Sequence, residues 1–397
     1  MKTSAKIGLV GALLGFLVLP GAMTLAQDDA AWSKDLESAE KCFLAGDKVQ
    51  SEKFYLQALS EVPDDTARAT VINQKGVAQT SQHLYLDAQK SFAEALELRK
   101  KALGETDPTT LKTLSNLALA TYKGGDSRAA EKLFLECLEK KRKVAPNSES
   151  IVKTLTNLAN LYSDQRNRGD ASKLYDEALS IDTSLFGEQS AAVATDQFNI
   201  GAMLQKCKEP KDALVHLDKA LTIFTALGDK AGAVKALHYS ALSNGDLNNF
   251  DKASELSLKA LALSEEVKGK NHPDTIIHLL AAGDALFAAG ENDEAEKMYL
   301  QARTTARACD PPSELVLTQC NLALAHLYRK EQKLDDAEQC YKKALVHYES
   351  LSKKDKRDLY DLPLAYSQLL GELKHSDESE HLQQKYLHVY APDKAGK

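Results

Sequence analysis

The chain has 397 residues, with 50 Lys and Arg against 57 Asp and Glu for a net charge of −7, and 43% hydrophobic but only 6% aromatic residues. The acidic excess argues against nucleic acid as a partner, and the scarcity of aromatics, together with Ala- and Leu-rich segments, leaves little material for strands, so an all-α protein is expected. The length exceeds one compact core and the composition does not shift along the chain, which favours an elongated repeat array over several unlike domains.

At the start, Lys2 and Lys6 precede an apolar run from Ile7 to Leu19, followed by Pro20 and small residues ending in Ala26. This is the layout of a secretory signal, expected to occupy residues 1–26 and to be cleaved after Ala26. The 13-residue run is short for a bilayer, which needs about 20 apolar residues, although extension through Ala26 gives an uncleaved anchor over residues 7–26 as the alternative. Removal of the signal takes two Lys and leaves 48 basic against 57 acidic side chains, a balance of −9. The expected location is periplasmic or secreted, with a membrane tether only if the signal is retained.

Beyond it, one small residue recurs at Ser51, Ala88, Ala130, Ala171, Ala213, Ala253, Ala295, Ala337 and Ser379, in steps of 37, 42, 41, 42, 40, 42, 42 and 42. Seven residues after these anchors, two helical turns on the same face, stand Ala58, Ala95, Cys137, Ala178, Ala220, Ala260, Ala302 and Ala344, with Tyr386 closing the series. Twelve residues before them stand Ala39, Gly76, Ala118, Ala159, Gly201, Ala241, Gly283, Ala325 and Ser367. Small side chains on both helices of a hairpin let the backbones draw together, and a bulky residue fills the groove between them. That filler comes four residues after the anchor, as Tyr55, Phe92, Phe134, Tyr175, Leu217, Tyr299 and Tyr341, and lapses to Ser257 and Gln383. The aromatic stripe is therefore core.

Turn chemistry follows the same period. Gly46, Gly125 and Gly290 lie five residues before their anchors, where one helix gives way to the next. Asp107-Pro108 and His272-Pro273-Asp274 place a proline at the first position of a following helix, where its missing N–H is harmless.

Asn116-Leu117-Ala118, Asn157-Leu158-Ala159, Ala295 to Tyr299, Ala337 to Tyr341 and the linker Gly269 to Asp274 resemble the 42-residue tetratricopeptide repeats of the kinesin light chain type. The resemblance covers roughly residues 32 to 390 and implies a right-handed superhelical solenoid of about nine helix hairpins. The units are expected at 32–65, 66–107, 108–149, 150–190, 191–230, 231–272, 273–313, 314–356 and 357–390, followed by a frayed tail at 391–397. The last unit is expected to be a degenerate cap, with Ser379, Gln383 and Tyr386 at the repeat positions and Pro363 shortening its first helix. Motor-cargo work does not carry over, because no heptad coiled coil is present and an export signal contradicts cytoplasmic transport.

In such arrays the first helix of each pair lines a concave groove that takes a peptide or a partner helix. Its candidate contact residues are Gln74, Asn116, Asn157, Asn199 and Tyr239, with Lys112 and Lys153 four places before the first two of the three Asn. An Asn amide donates and accepts at once, matching an extended backbone, and Lys offers a carboxylate its charge partner. The same amides serve equally well for bonds between neighbouring helices or for facing water. Further on, Leu242, Ile277, Leu280 and Phe287 make this face apolar, suited either to an amphipathic partner helix or to packing between units.

Six cysteines at 42, 137, 207, 309, 320 and 340 show no paired metal-ligand spacing. Only Cys309 and Cys320, which flank Asp310-Pro311-Pro312, invite a disulfide, the alternative being buried thiols. No phosphate loop, nucleophile elbow or His-Glu-x-x-His occurs, and the pairs His272/His278 and His375/His381 are six apart, off a common helical face. No cofactor, metal or catalytic residue is expected. The expected function is an exported scaffold binding a protein or peptide in its groove. The alternatives are an envelope component that self-assembles end to end and an accessory subunit of an envelope enzyme.

Overall fold

The computed structural model describes residues 31–309 and 312–390, and every regular element among them is an α-helix. The signal expected at 1–26, the tail at 391–397 and the central Asp310-Pro311 of the turn lie outside the described residues. None of the described helices is long and apolar enough to cross a membrane.

The chain divides into two compact bodies, one ending at Cys207 and the other beginning at Lys208. The N-terminal body stacks four hairpins: α1 (Ala31–Leu44) with α2 (Lys48–Glu61), α3 (Asp65–Ser81) with α4 (Tyr85–Leu103), α5 (Pro108–Lys123) with α6 (Ser127–Val144), and α7 (Glu149–Asp164) with α8 (Arg168–Phe186). It closes on α9 (Ala191–Lys206). The C-terminal body opens on α10 (Pro210–Ala226), then pairs α11 (Lys230–Asp246) with α12 (Phe250–Lys268), α13 (Pro273–Ala289) with α14 (Asn292–Ala308) and α15 (Glu314–Lys330) with α16 (Leu334–Glu349). A short α17 (Lys353–Asp358) precedes the last pair, α18 (Asp361–Glu372) and α19 (Ser376–Tyr390). Within each body every second helix also packs on the first helix of the next pair, and consecutive first helices touch from α1 to α9 and from α11 to α15. The result is the tandem hairpin architecture that the spacing predicts.

All three registers of small residues are buried, most of them with no accessible surface. The fillers stand opposite them: a Cβ added to Gly76 would fall 2.8 Å from the Phe92 ring, and one added to Gly283 would fall 2.5 Å from the Tyr299 ring. The two serine anchors keep the same closeness by bonding across it, Ser51 Oγ donating to the Ala39 carbonyl at 2.9 Å and Ser379 Oγ to that of Ser367 at 2.9 Å. Two of the ring hydroxyls are met by the residue just after the small one on the first helix, as Tyr175 donates to Asn160 at 2.7 Å and Tyr299 to Asp284 at 2.8 Å.

The turn inside each hairpin is more uniform than its sequence. The residue five before the anchor has positive φ in every case, and only Gly46, Gly125 and Gly290 of the nine are glycines. His83, Arg166, Lys208, Asn248, Gln332 and Lys374 adopt the left-handed conformation at φ 59–65°, which strains a residue that carries a Cβ by roughly 1–2 kcal/mol. The gain is a closed helix end. The next amide returns to the carbonyl five residues back, as in Asn167 N to Tyr162 O at 2.9 Å and Lys333 N to Tyr328 O at 2.9 Å.

The terminal pair departs from the others as its sequence suggests. Its first helix α18 is 12 residues long against 17 for α15, with Pro363 in its first turn. Tyr386, in place of a small residue, is buried and meets the Tyr348 ring edge-on at 6.0 Å.

All six cysteines are free, so the Cys309–Cys320 bridge is not formed. Cys309 caps α14 with its thiol toward the Thr305 carbonyl at 3.4 Å. Cys320 is fully buried on α15, which begins only at Glu314, so six residues of helix, about 9 Å of rise, carry it away from the turn.

Thermal and urea unfolding of two variants check this packing from opposite sides. Gly283→Leu is expected to lose about 1–3 kcal/mol by overpacking against Tyr299. Arg166→Gly is expected to gain about 0.5–1 kcal/mol, the relief of left-handed strain less the added freedom of the unfolded chain. Unchanged stability in both would contradict the close-approach account.

Candidate interaction face and interhelical polar seams

The groove candidates fall at one helical position on successive first helices: Gln74 on α3, Asn116 on α5, Asn157 on α7 and Asn199 on α9, all in the N-terminal body. Because those helices touch in order, the four amides form a row. Tyr239 holds the same position on α11 of the C-terminal body.

The row is not uniform. Gln74 Nε2 donates to Glu40 Oε1 at 3.1 Å and Asn116 Nδ2 to Asn73 Oδ1 at 3.3 Å, so both amides already bridge to the preceding hairpin. Asn157 and Asn199 are half-buried, and among the described residues no side chain or backbone group takes their amides. Lys153 is drawn to Glu149 of its own helix at 2.6 Å, whereas Lys112 is exposed. A second line of charge runs along the C-terminal ends of the same helices. Lys206 Nζ lies 2.9 Å from Asp164 Oδ1, and the Tyr122 hydroxyl donates to the same carboxylate.

In the apolar stretch of the C-terminal body, Leu280 and Phe287 belong to the core packing, while Leu242 is half-buried. Leu280 is buried in the core, Ile277 and Phe287 are half-buried, and Lys330 covers the Phe287 ring at 4.3 Å while donating to its carbonyl at 3.2 Å.

Between hairpins lies a further set of recurring positions outside the registers of small residues, eleven residues after each anchor, with its neighbours seventeen before the next anchor and fifteen before its own. Behind α4 the set is Arg99, Thr113 and Asn73: the buried guanidinium donates to the Thr109 carbonyl at 3.1 Å and to Thr113 Oγ1 at 2.6 Å, and Thr113 in turn reaches Asn73 Oδ1 at 3.4 Å. Behind α6 it is Lys141, Thr154 and Ser115, the ammonium donating to the Ser150 carbonyl at 2.8 Å, to Thr154 Oγ1 at 2.8 Å and to Ser115 Oγ at 3.2 Å. Burial holds both cations below their ordinary pKa. Behind α8 stand Asp182 and Asp196, both buried. Burial first, and then the charge of Asp182, pushes the Asp196 carboxyl up to about 8, and burial raises Asp182.

In the C-terminal body the same positions become His238, His278 and Ser264, then Leu280, Cys320 and Ala306, then Leu322, Leu362 and Tyr348. The two imidazoles meet edge-to-face at 5.4 Å, and His278 Nδ1 is buried without a hydrogen-bond partner among the described residues. Burial drives His238 down to about 3 and His278 down to about 4. Both are therefore neutral when folded.

One three-residue group has metal-ligand chemistry among the described residues. Glu338, His375 and Glu378 bring one ligand atom each within 4.8 Å of one another. The Lys342 ammonium, 2.7 Å from Glu338 Oε1, already supplies positive charge there. The structure thus pairs His375 with carboxylates rather than with His381.

Two family models described as tetratricopeptide repeat match, one over residues 65–143, 150–226 and 232–308 and the other over 320–358. Human mitochondrial tetratricopeptide repeat protein 19 is 34% identical over 94 residues, 24% of this chain and 24% of its own. The clustered mitochondria protein homolog of Aspergillus clavatus is 27% identical over 149 residues, 36% of this chain and 12% of its own. The chain thus spans a quarter or less of the length of these curated relatives. Among solved structures, the apo quorum sensor NprR from B. thuringiensis superposes with a TM-score of 0.59 at 14% identity, covering 90% of this chain and 98% of that one.

The histidine seam gives the array a pH response. The unfolded chain takes up protons on both imidazoles below about pH 6.5 while the folded one does not, so their stability contribution is complete above that pH and is lost as pH falls toward 4. Urea unfolding at pH 7 and pH 5 should show the wild type losing on the order of 1–2 kcal/mol per histidine more than His238→Asn/His278→Asn. A wild-type-to-variant difference that is the same at both pH values would reject the assignment.

Proposed function

For a chain that belongs to the tetratricopeptide repeat family, we propose that this array binds an extended stretch of another polypeptide along the first-helix face of its N-terminal body. The observation that carries the proposal is the pair of unengaged, half-buried amides of Asn157 and Asn199, at one helical position on the neighbouring helices α7 and α9. Each can accept a backbone N–H and donate to a carbonyl, and an extended backbone offers those groups in alternation. Lys112, exposed near this row, adds a charge partner for an acidic side chain or a terminal carboxylate. Gln74 and Asn116 contribute by fixing the row, since their amides tie successive hairpins together.

The proposal extends to location. Lys2, Lys6, the run Ile7 to Leu19 and the small residues through Ala26 support export, with the scaffold working outside the cytoplasm.

Affinity purification of the native protein tests both parts. Wild type should retain an identified partner that Asn157→Ala/Asn199→Ala loses at least tenfold, with the variant's unfolding unchanged. The purified chain should begin at Gln27. Equal capture by both proteins would reject the amide face, and a chain that begins at Met1 in the cytosolic fraction would reject export.

A further inference from the structure

The seam between α8 and α9 breaks a pattern that the two before it obey. In both of those a side-chain cation sits in a nest of three oxygens: a carbonyl from the first turn of the following helix (Thr109, then Ser150), a hydroxyl one turn on (Thr113, then Thr154), and a hydroxyl of the preceding first helix (Thr70, then Ser115). Carried on by one repeat, the register puts Ala192, Asp196 and Thr156 at those three places, and Asp182 where Lys141 and Arg99 supply the positive charge. The Ala192 position still offers its backbone carbonyl, and Thr156 a hydroxyl. The nest thus keeps its oxygens and gains two carboxylates, but the chain provides no cation for it among the described residues.

The pair is well sealed. Asp182 is 5% and Asp196 2% exposed, the two carboxyls face each other within hydrogen-bonding reach, and Asp182 Oδ1 and Asp196 Oδ2 are buried with no other partner among the described residues. Two buried carboxylates facing each other are expensive when both are ionised, so a positive charge or a shared proton is expected between them. The charged groups that act on Asp182 from α7 are Glu149 and Lys153. They lie 2.6 Å from each other and are spent on that pair. On α9 the sole acid or base in the first two turns is Asp196 itself.

We propose that Asp182 and Asp196 hold a hard metal cation between α8 and α9, with the Thr156 hydroxyl and the Ala192 carbonyl as further oxygen donors. It would take the place that the Lys141 ammonium fills one repeat earlier. An all-oxygen set favours calcium or magnesium over zinc or copper. Calcium is the better fit, because it accepts irregular sets of six to eight oxygens, whereas magnesium demands near-octahedral geometry and retains its water. Two carboxylates balance its charge. The ion would pin the last hairpin of the N-terminal body to α9 and so set the spacing of Asn157 and Asn199.

Calorimetric titration and thermal melts of the full-length, chelator-treated protein at pH 7.5, with calcium chloride and then magnesium chloride, test the site. Wild type should bind one calcium, with a melting rise of roughly 5 °C when the ion is a hundredfold above its Kd. Asp196→Asn should lose at least tenfold in affinity. Asp182→Lys restores the upstream arrangement and should melt higher than calcium-free wild type with no response to calcium. Absence of a calcium or magnesium response in wild type overturns the proposal. So does equal affinity in Asp196→Asn, which would put the ion elsewhere. A melting point that falls from pH 5 to 8 regardless of calcium, and flattens in Asp196→Asn, overturns it in favour of a shared proton. Should Asp182→Lys fail to fold, Asp196→Asn alone decides.

Discussion

The close approach of two helices at a pair of small residues, with one ring closing the gap, is the contact on which every other part of the molecule depends. Gly283 against Tyr299 shows how little slack it has, since a single added methyl would fall 2.5 Å from the ring. Once backbones lie that near, the turn between them has one solution, and nine residues of very different chemistry adopt it. Six of them bear a side chain that disfavours it. Tertiary packing here overrides local preference, as is usual where burial is worth more than a single residue's conformational energy.

The fold was legible in the sequence because spacing, rather than residue identity, encodes it. The three registers of small residues, Pro108 and Pro273 at helix starts and the weakened terminal unit each appear where the chain alone places them. The disulfide between Cys309 and Cys320 was not legible. Symmetry about a turn in sequence says nothing of where the helices begin, and α15 begins early enough to carry Cys320 into the core before a bridge could form. The amide row was half legible. Its register follows from the repeat, but whether an amide is engaged depends on one neighbour, and Asn73 beside Asn116 is the difference between a bridging amide and an open one.

The polar seams are hidden in the sequence for a physical reason. A search for small residues finds what is alike between repeats, whereas the seams change from Arg99 and Lys141 to Asp182, to His238 and His278, and finally to Leu322 and Leu362. The signal is nonetheless present, since each of them stands eleven after, fifteen before or seventeen before an anchor. In repeat arrays the constant positions build the scaffold and the variable ones at fixed register carry what is individual to each junction. Charged and hydroxylated junctions in the N-terminal body lock orientation through buried directional bonds; those near the C-terminus bury apolar side chains at the same positions and place their bonds elsewhere, as in Arg329 to Glu372.

Because each hairpin packs only on its neighbours in sequence, the hydrogen bonds that tie one hairpin to the next join residues little more than one repeat apart, as in Asn116 to Asn73 and Arg329 to Glu372, each 43 apart. Contact order is therefore low for a polypeptide of this size, and no distant segment must arrive before the early ones find their partners. Such a chain can assemble vectorially, each new pair of helices condensing on the last as it emerges, with the first-formed end serving as template for the rest.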